Sequence, residues 1–110
     1  MKNILYASGY TENRPGTGIK RMEFDGETLK ETGGYGPAVN PSYILAEKEF
    51  LYAVEETGDS AAISRYPLTG GEGNRYIIPG AGLCHLVRGG ETLYASGYIG
   101  GCLTGMRAED

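Results

Sequence analysis

The hexapeptide Leu-Tyr-Ala-Ser-Gly-Tyr occurs twice in the chain, at Leu5 to Tyr10 and at Leu93 to Tyr98, and a looser copy, Leu-Tyr-Ala-Val-Glu-Glu, lies between them at Leu51 to Glu56. The corresponding tyrosines are Tyr6, Tyr52 and Tyr94, so the spacings are 46 and then 42 residues. A repeat of this length must hold several secondary-structure elements, and it must place each copy in a similar environment.

What fills the repeat is strand and turn. Nineteen glycines and five prolines punctuate short runs rich in Tyr, Ile, Leu and Val, which is how strands bounded by tight turns read. No stretch sustains the i, i+3, i+4, i+7 apolar spacing of an amphipathic helix. Ala46 to Phe50 (AEKEF) holds helix formers, but Arg88 to Glu91 (RGGE) occupies the same place in the next unit. A glycine pair in that place suits a hairpin turn and opposes a helix interior.

Aligned on their tyrosines, the units agree well beyond the hexapeptide. Asn40, Ser42, Tyr43 and Ile44 correspond to Gly82, Cys84, His85 and Leu86. Four short strands are expected in the complete middle unit, along SYIL, FLYAV, AAISRYPL and RYIIP, and GIKRMEF and ETLKET follow the tyrosine strand of the first. Units of about 40 to 50 residues with four strands each are propeller blades. The expected fold is all-β, a partial β-propeller of about two and a half blades of four-stranded antiparallel sheets, with units at about residues 1–39, 40–81 and 82–110. The third unit is expected to stop where its third strand is forming. Within the repeated string Tyr6, Ser8 and Tyr10 alternate with Leu5, Ala7 and Gly9, as suits a strand packed on both faces.

The same segments resemble a known family, the seven-bladed propeller lactonases of the 6-phosphogluconolactonase type, with their carboxymuconate-lactonizing relatives. LYASGYT and GIKRMEFD are similar to the family's opening strands, and NPSYIL, FLYAVEE, GLCHL and the second LYASGY are similar to its later signatures in the same order. The resemblance implies hydrolysis of a sugar lactone, such as 6-phosphogluconolactone, with no cofactor and a small-molecule lactone as partner. A closed ring of seven units at about 44 residues each needs about 308 residues. The chain is therefore expected to be an N-terminal fragment, without lactonase activity of its own and able to self-associate through open blade edges.

His85 is the only histidine, and it falls where the family has a Cys-His pair at the start of a blade. The resemblance implies that it binds or polarises a lactone from the central channel; a structural histidine between blades is the alternative. Glu56 matches the glutamate of the family's Asn-Glu signature and is expected to be a polar group facing the channel or a solvated strand end, whereas Glu55 replaces the asparagine. Tyr10 and Tyr98, which close the two identical strings, are the candidate substrate contacts, although repetition by itself also suits packing. Cys84 beside His85 is not read as a nucleophile with its base, because adjacent strand residues point to opposite faces unless a bulge intervenes.

The remaining features mainly exclude. Two cysteines without a C-x-x-C pattern imply reduced thiols and no metal site. A pI of about 5.0 and a net charge of −4 oppose nucleic-acid binding. No apolar run is long enough to cross a membrane, and the apolar run in MKNILYASGY is too short for a secretory leader, so a cytoplasmic location is expected. A non-enzymatic propeller module, binding a peptide or sugar on its rim, is the competing function, since a propeller scaffold does not fix activity. A third reading is a small blade protein that completes a ring by oligomerisation.

Overall fold

The computed structural model describes residues 2–108. Ten strands follow one another: β1 (Asn3–Ser8), β2 (Ile19–Phe24), β3 (Leu29–Tyr35), β4 (Ile44–Glu47), β5 (Phe50–Glu56), β6 (Ala61–Pro67), β7 (Asn74–Ile77), β8 (Leu83–Gly89), β9 (Thr92–Gly97) and β10 (Cys102–Arg107). They form three antiparallel sheets, β1-β2-β3, β4-β5-β6-β7 and β8-β9-β10, and every pairing joins strands that are consecutive in sequence. There is no helix among the described residues. The chain is all-β, a partial propeller.

The sheets pack face to face because their strands are apolar on both sides. In β5, Leu51 and Ala53 enter one core with Ile19, Tyr35, Ala38 and Tyr66, while Tyr52 and Val54 enter a second with Ile63, Leu83, Leu86, Leu93 and Ala95. The first core joins the first and second sheets; the second joins the second and third. Full burial of a side chain such as Leu51 contributes about 1.5–3 kcal/mol. The repeat explains the two-sided pattern. Tyr6 points at the second sheet as its counterpart Tyr52 points at the third. By the same register Tyr94 lies on the far side of the third sheet and is exposed, together with Leu103 and Val87.

Left-handed backbone conformations recur with the sequence. Asn40 (φ 45°) and its counterpart Gly82 (φ 63°) both adopt one just before the first strand of their sheets. Lys48 (φ 47°) and its counterpart Gly90 (φ 62°) do so in the first hairpins. Glycine and asparagine enter this region easily. The turn expected over Ala46 to Phe50 is shorter than the sequence implies: β4 runs on through Glu47, and only Lys48 and Glu49 lie outside the ladder. The third strand of the last sheet, expected to be only forming, is complete, with β10 paired along its whole length to β9. Cys102 and Met106 anchor it by packing against the second core.

Candidate functional site

Three positions that the repeat makes equivalent, Tyr10, Glu56 and Tyr98, lie at or just beyond the ends of β1, β5 and β9. At the same end, the segments entering β4 and β8 bring in Ser42 and Cys84, which are equivalent to each other. Tyr10 donates its phenolic hydrogen to Glu56 Oε1 at 3.1 Å, and Ser42 donates to the same oxygen. The hydrogen bond to Glu56, and then its negative charge, raise the Tyr10 pKa above the ordinary tyrosine value, with smaller contributions from Tyr98 and Cys84. Tyr10 therefore remains a neutral donor through the physiological range. Tyr10 and Tyr98 are 67% and 65% exposed, so both rings are open to a ligand. A groove of about 420 Å³ adjoins Tyr10, with Ser8, Thr11, Thr17 and Lys20 in its walls.

His85 follows Cys84 on β8. Its ring packs on that of its repeat counterpart Tyr43, with centroids 4.7 Å apart. The strand has an irregular register between Leu83 and His85, which leaves Cys84 as the extra residue. A regular strand would turn Cys84 and His85 to opposite faces, and the strand is not regular here. Even so, the Cys84 thiol is directed to the Ser96 carbonyl at 3.8 Å, while the His85 imidazole faces Tyr43. Both cysteines are free. No group of three His, Cys, Asp or Glu side chains among the described residues is placed to hold a metal ion.

Glu55, set aside in the sequence as a departure from the family pattern, is buried and accepts two hydrogen bonds at 2.9 Å from Arg75, through Nε and one terminal nitrogen. Residues 20 positions apart on non-neighbouring strands give no pairing signal in sequence. Ser42 also escaped notice as a site residue. Its only trace is the alignment of a small hydroxyl with a small thiol at Cys84. A larger cavity, about 880 Å³, lies at the opposite end of the sheets, bounded by the turns at Lys48 and Gly90 and by Phe50, Tyr52, Arg65 and Arg88. It contains none of the four residues singled out from the sequence. The Arg65 Nε beside it is buried and has no hydrogen-bond partner among the described residues.

This architecture matches a family defined by both sequence and shape. The model of the family described as Lactonase, 7-bladed beta-propeller, matches residues 4–110. The chain belongs to that family. Two solved structures superpose on it. One, from Bacteroides uniformis ATCC 8492 and provisionally named a 6-phosphogluconolactonase, has a TM-score of 0.77 at 26% identity, over 96% of this chain and 33% of its own. The other, from Bacteroides fragilis NCTC 9343 with the same provisional name, has a TM-score of 0.75 at 23% identity, over 94% of this chain and 32% of its own, and shares the fold. The chain spans about a third of the length of these structures. No curated protein matches it significantly. No helix among the described residues is long and apolar enough to cross a membrane.

Proposed function

We propose that the protein to which this lactonase-family chain belongs hydrolyses a sugar lactone, as a hydrolase of carbohydrate metabolism, and that Tyr10, Glu56, His85 and Tyr98 form part of its substrate site. The observation that carries this reading is the bond from Tyr10 to Glu56, which joins equivalent positions of two successive units at an exposed end of the sheets. A carboxylate held by two hydroxyl donors, at the end of the sheets that also carries the exposed Tyr98 ring, offers with the imidazole that follows Cys84 what ring opening requires. Glu56 takes a proton from water as the water oxygen bonds to the lactone carbonyl carbon; His85 polarises the carbonyl oxygen; the ring carbon–oxygen bond then breaks and its oxygen takes up the proton that Glu56 holds. Tyr10 and Tyr98 hold the sugar through their rings and hydroxyls. Two free thiols suit a reducing compartment, which supports a cytoplasmic location.

The test uses the complete product of the gene, with 6-phosphogluconolactone as substrate and the spontaneous hydrolysis rate as baseline. Hydrolysis well above baseline, lowered about 10²-fold or more by Glu56→Gln and by His85→Ala, is expected for groups acting in general acid–base and carbonyl-polarising roles. A rate at baseline while the lactone still binds would assign the site to a non-enzymatic binding module. Unchanged rates in both variants would remove these residues from the reaction.

A further inference from the structure

We propose that Asn40 is the positioning residue that holds Tyr10 on Glu56, an inference that rests on the assignment of this pair to the substrate site. Tyr10 opens the loop from Gly9 to Gly18, which joins β1 to β2. Such a loop, with an exposed tyrosine at its start, needs an anchor to present that ring in one place. Asn40 supplies it from the neighbouring unit. Its side-chain oxygen accepts from the backbone N–H of Thr11 at 3.0 Å and of Asn13 at 3.1 Å, and its side-chain nitrogen donates to Asn13 Oδ1 at 2.7 Å.

The same side chain reaches the other member of the pair. Its nitrogen also donates to the Glu56 carbonyl at 3.0 Å, and the Asn40 backbone carbonyl accepts from the Glu56 N–H at 3.2 Å. One buried residue thus ties the loop that carries Tyr10 to the strand end that carries Glu56. Asparagine suits the place twice over: it tolerates the left-handed φ of 45°, and it is both acceptor and donor. Glu12 (φ 58°) is also left-handed, at a cost that an asparagine such as Asn13 (φ 63°) escapes, and it lies between the two amides that bond Asn40 Oδ1. Asn40 Oδ1 holds it there.

The test reads the position of Tyr10 directly and so is independent of any lactone assay. Asn40→Gly removes the side chain while keeping the backbone conformation that Gly82 adopts in the equivalent place. Tyr10 is followed by NMR in chain carrying ¹³C-labelled tyrosine, with its signal identified by Tyr10→Phe. Asn40→Gly should shift the Tyr10 titration down toward the ordinary tyrosine range. No shift in a folded Asn40→Gly chain would overturn the proposal. Should Asn40→Gly not fold, amide exchange in the unaltered chain decides: Thr11 and Asn13 amides protected like those of the adjoining strands support the anchor, and unprotected amides overturn it.

Discussion

Tyr10 and Glu56 occupy the same place in successive repeats, 46 residues apart, and are joined by a hydrogen bond of 3.1 Å. A repeat normally keeps equivalent positions one blade apart and alike in role. Here tyrosine in one unit and glutamate in the next make a donor and a charged acceptor, where two glutamates would repel.

That pairing fixes how Tyr10 titrates. Its pKa is raised first by the hydrogen bond to Glu56 and then by the carboxylate's charge. Because the folded value lies above the unfolded one, the stabilisation is complete below the ordinary tyrosine range and disappears as pH rises through the raised value. Glu56→Gln keeps an acceptor but removes the charge. NMR titration of Tyr10 should show its midpoint falling in this variant, and a midpoint that stays put would mean that the carboxylate does not govern it.

Identical strings need not tolerate identical changes. A Cβ added at Gly97 would come within 2.3 Å of the Ala81 carbonyl oxygen and 2.8 Å of Cys102 Sγ, whereas one added at its counterpart Gly9 meets nothing within 4 Å. Forcing a methyl against backbone costs about 1–3 kcal/mol. Gly97→Ala should lower stability to denaturant by that amount, and Gly9→Ala should remain within about 0.5 kcal/mol of the parent. Equal effects of the two would contradict the packing described.

The position that these glycines mark is held in the second unit by Glu55, whose burial depends on Arg75. The Glu55 side chain is 9% exposed and that of Arg75 51%, so the pair is only partly shielded from water. Arg75→Met would leave a buried carboxylate without its two charge-assisted bonds, at a cost of about 1–3 kcal/mol once solvent access on the arginine side is allowed for. Adding Glu55→Gln to Arg75→Met should recover part of the loss. Strictly additive losses in urea melts would show that the two side chains do not interact.

Acid should loosen the turn that Asp25 closes. Asp25 Oδ1 accepts from the amides of Glu27 at 2.9 Å and Thr28 at 2.8 Å, and these bonds, that from Thr28 first, hold its pKa below the usual aspartate value. A depressed folded value means that the turn is supported above the unfolded aspartate range and loses that support as pH falls through the lower folded value. The Thr28 amide resonance should follow this transition. In Asp25→Asn, which keeps an acceptor but cannot ionise, it should not, and a persistent acid shift in that variant would point to another group.

The sequence made the strands legible because their repeat is spelled out twice in identical letters. Leu51 and Ala53 could be assigned to one face and Tyr52 and Val54 to the other by alternation alone. The candidate site was legible in part. Glu56, Tyr10, Tyr98 and His85 were visible through their places in the repeat or the family pattern. The anchor at Asn40 and the partner at Ser42 depend on where a loop folds back across a sheet, and no periodicity encodes that. A hint lay in the alignment of Asn40 with Gly82, since these two residue types share an ease with left-handed backbone. The tie between Glu55 and Arg75 joins β5 and β7 across the strand between them, so neither local pattern nor repeat reveals it.

Because each strand pairs only with the one just before or just after it in sequence, synthesis itself can set the order of assembly. Short connections carry little closure entropy, so a hairpin can form as soon as its second strand leaves the ribosome, without waiting for a distant partner. A nascent chain halted once β7 has emerged should already protect the second sheet from protease, with the core between the first two sheets in place. The repeated hexapeptide then never competes with itself for partners, since by the time the second copy is made the first is already paired.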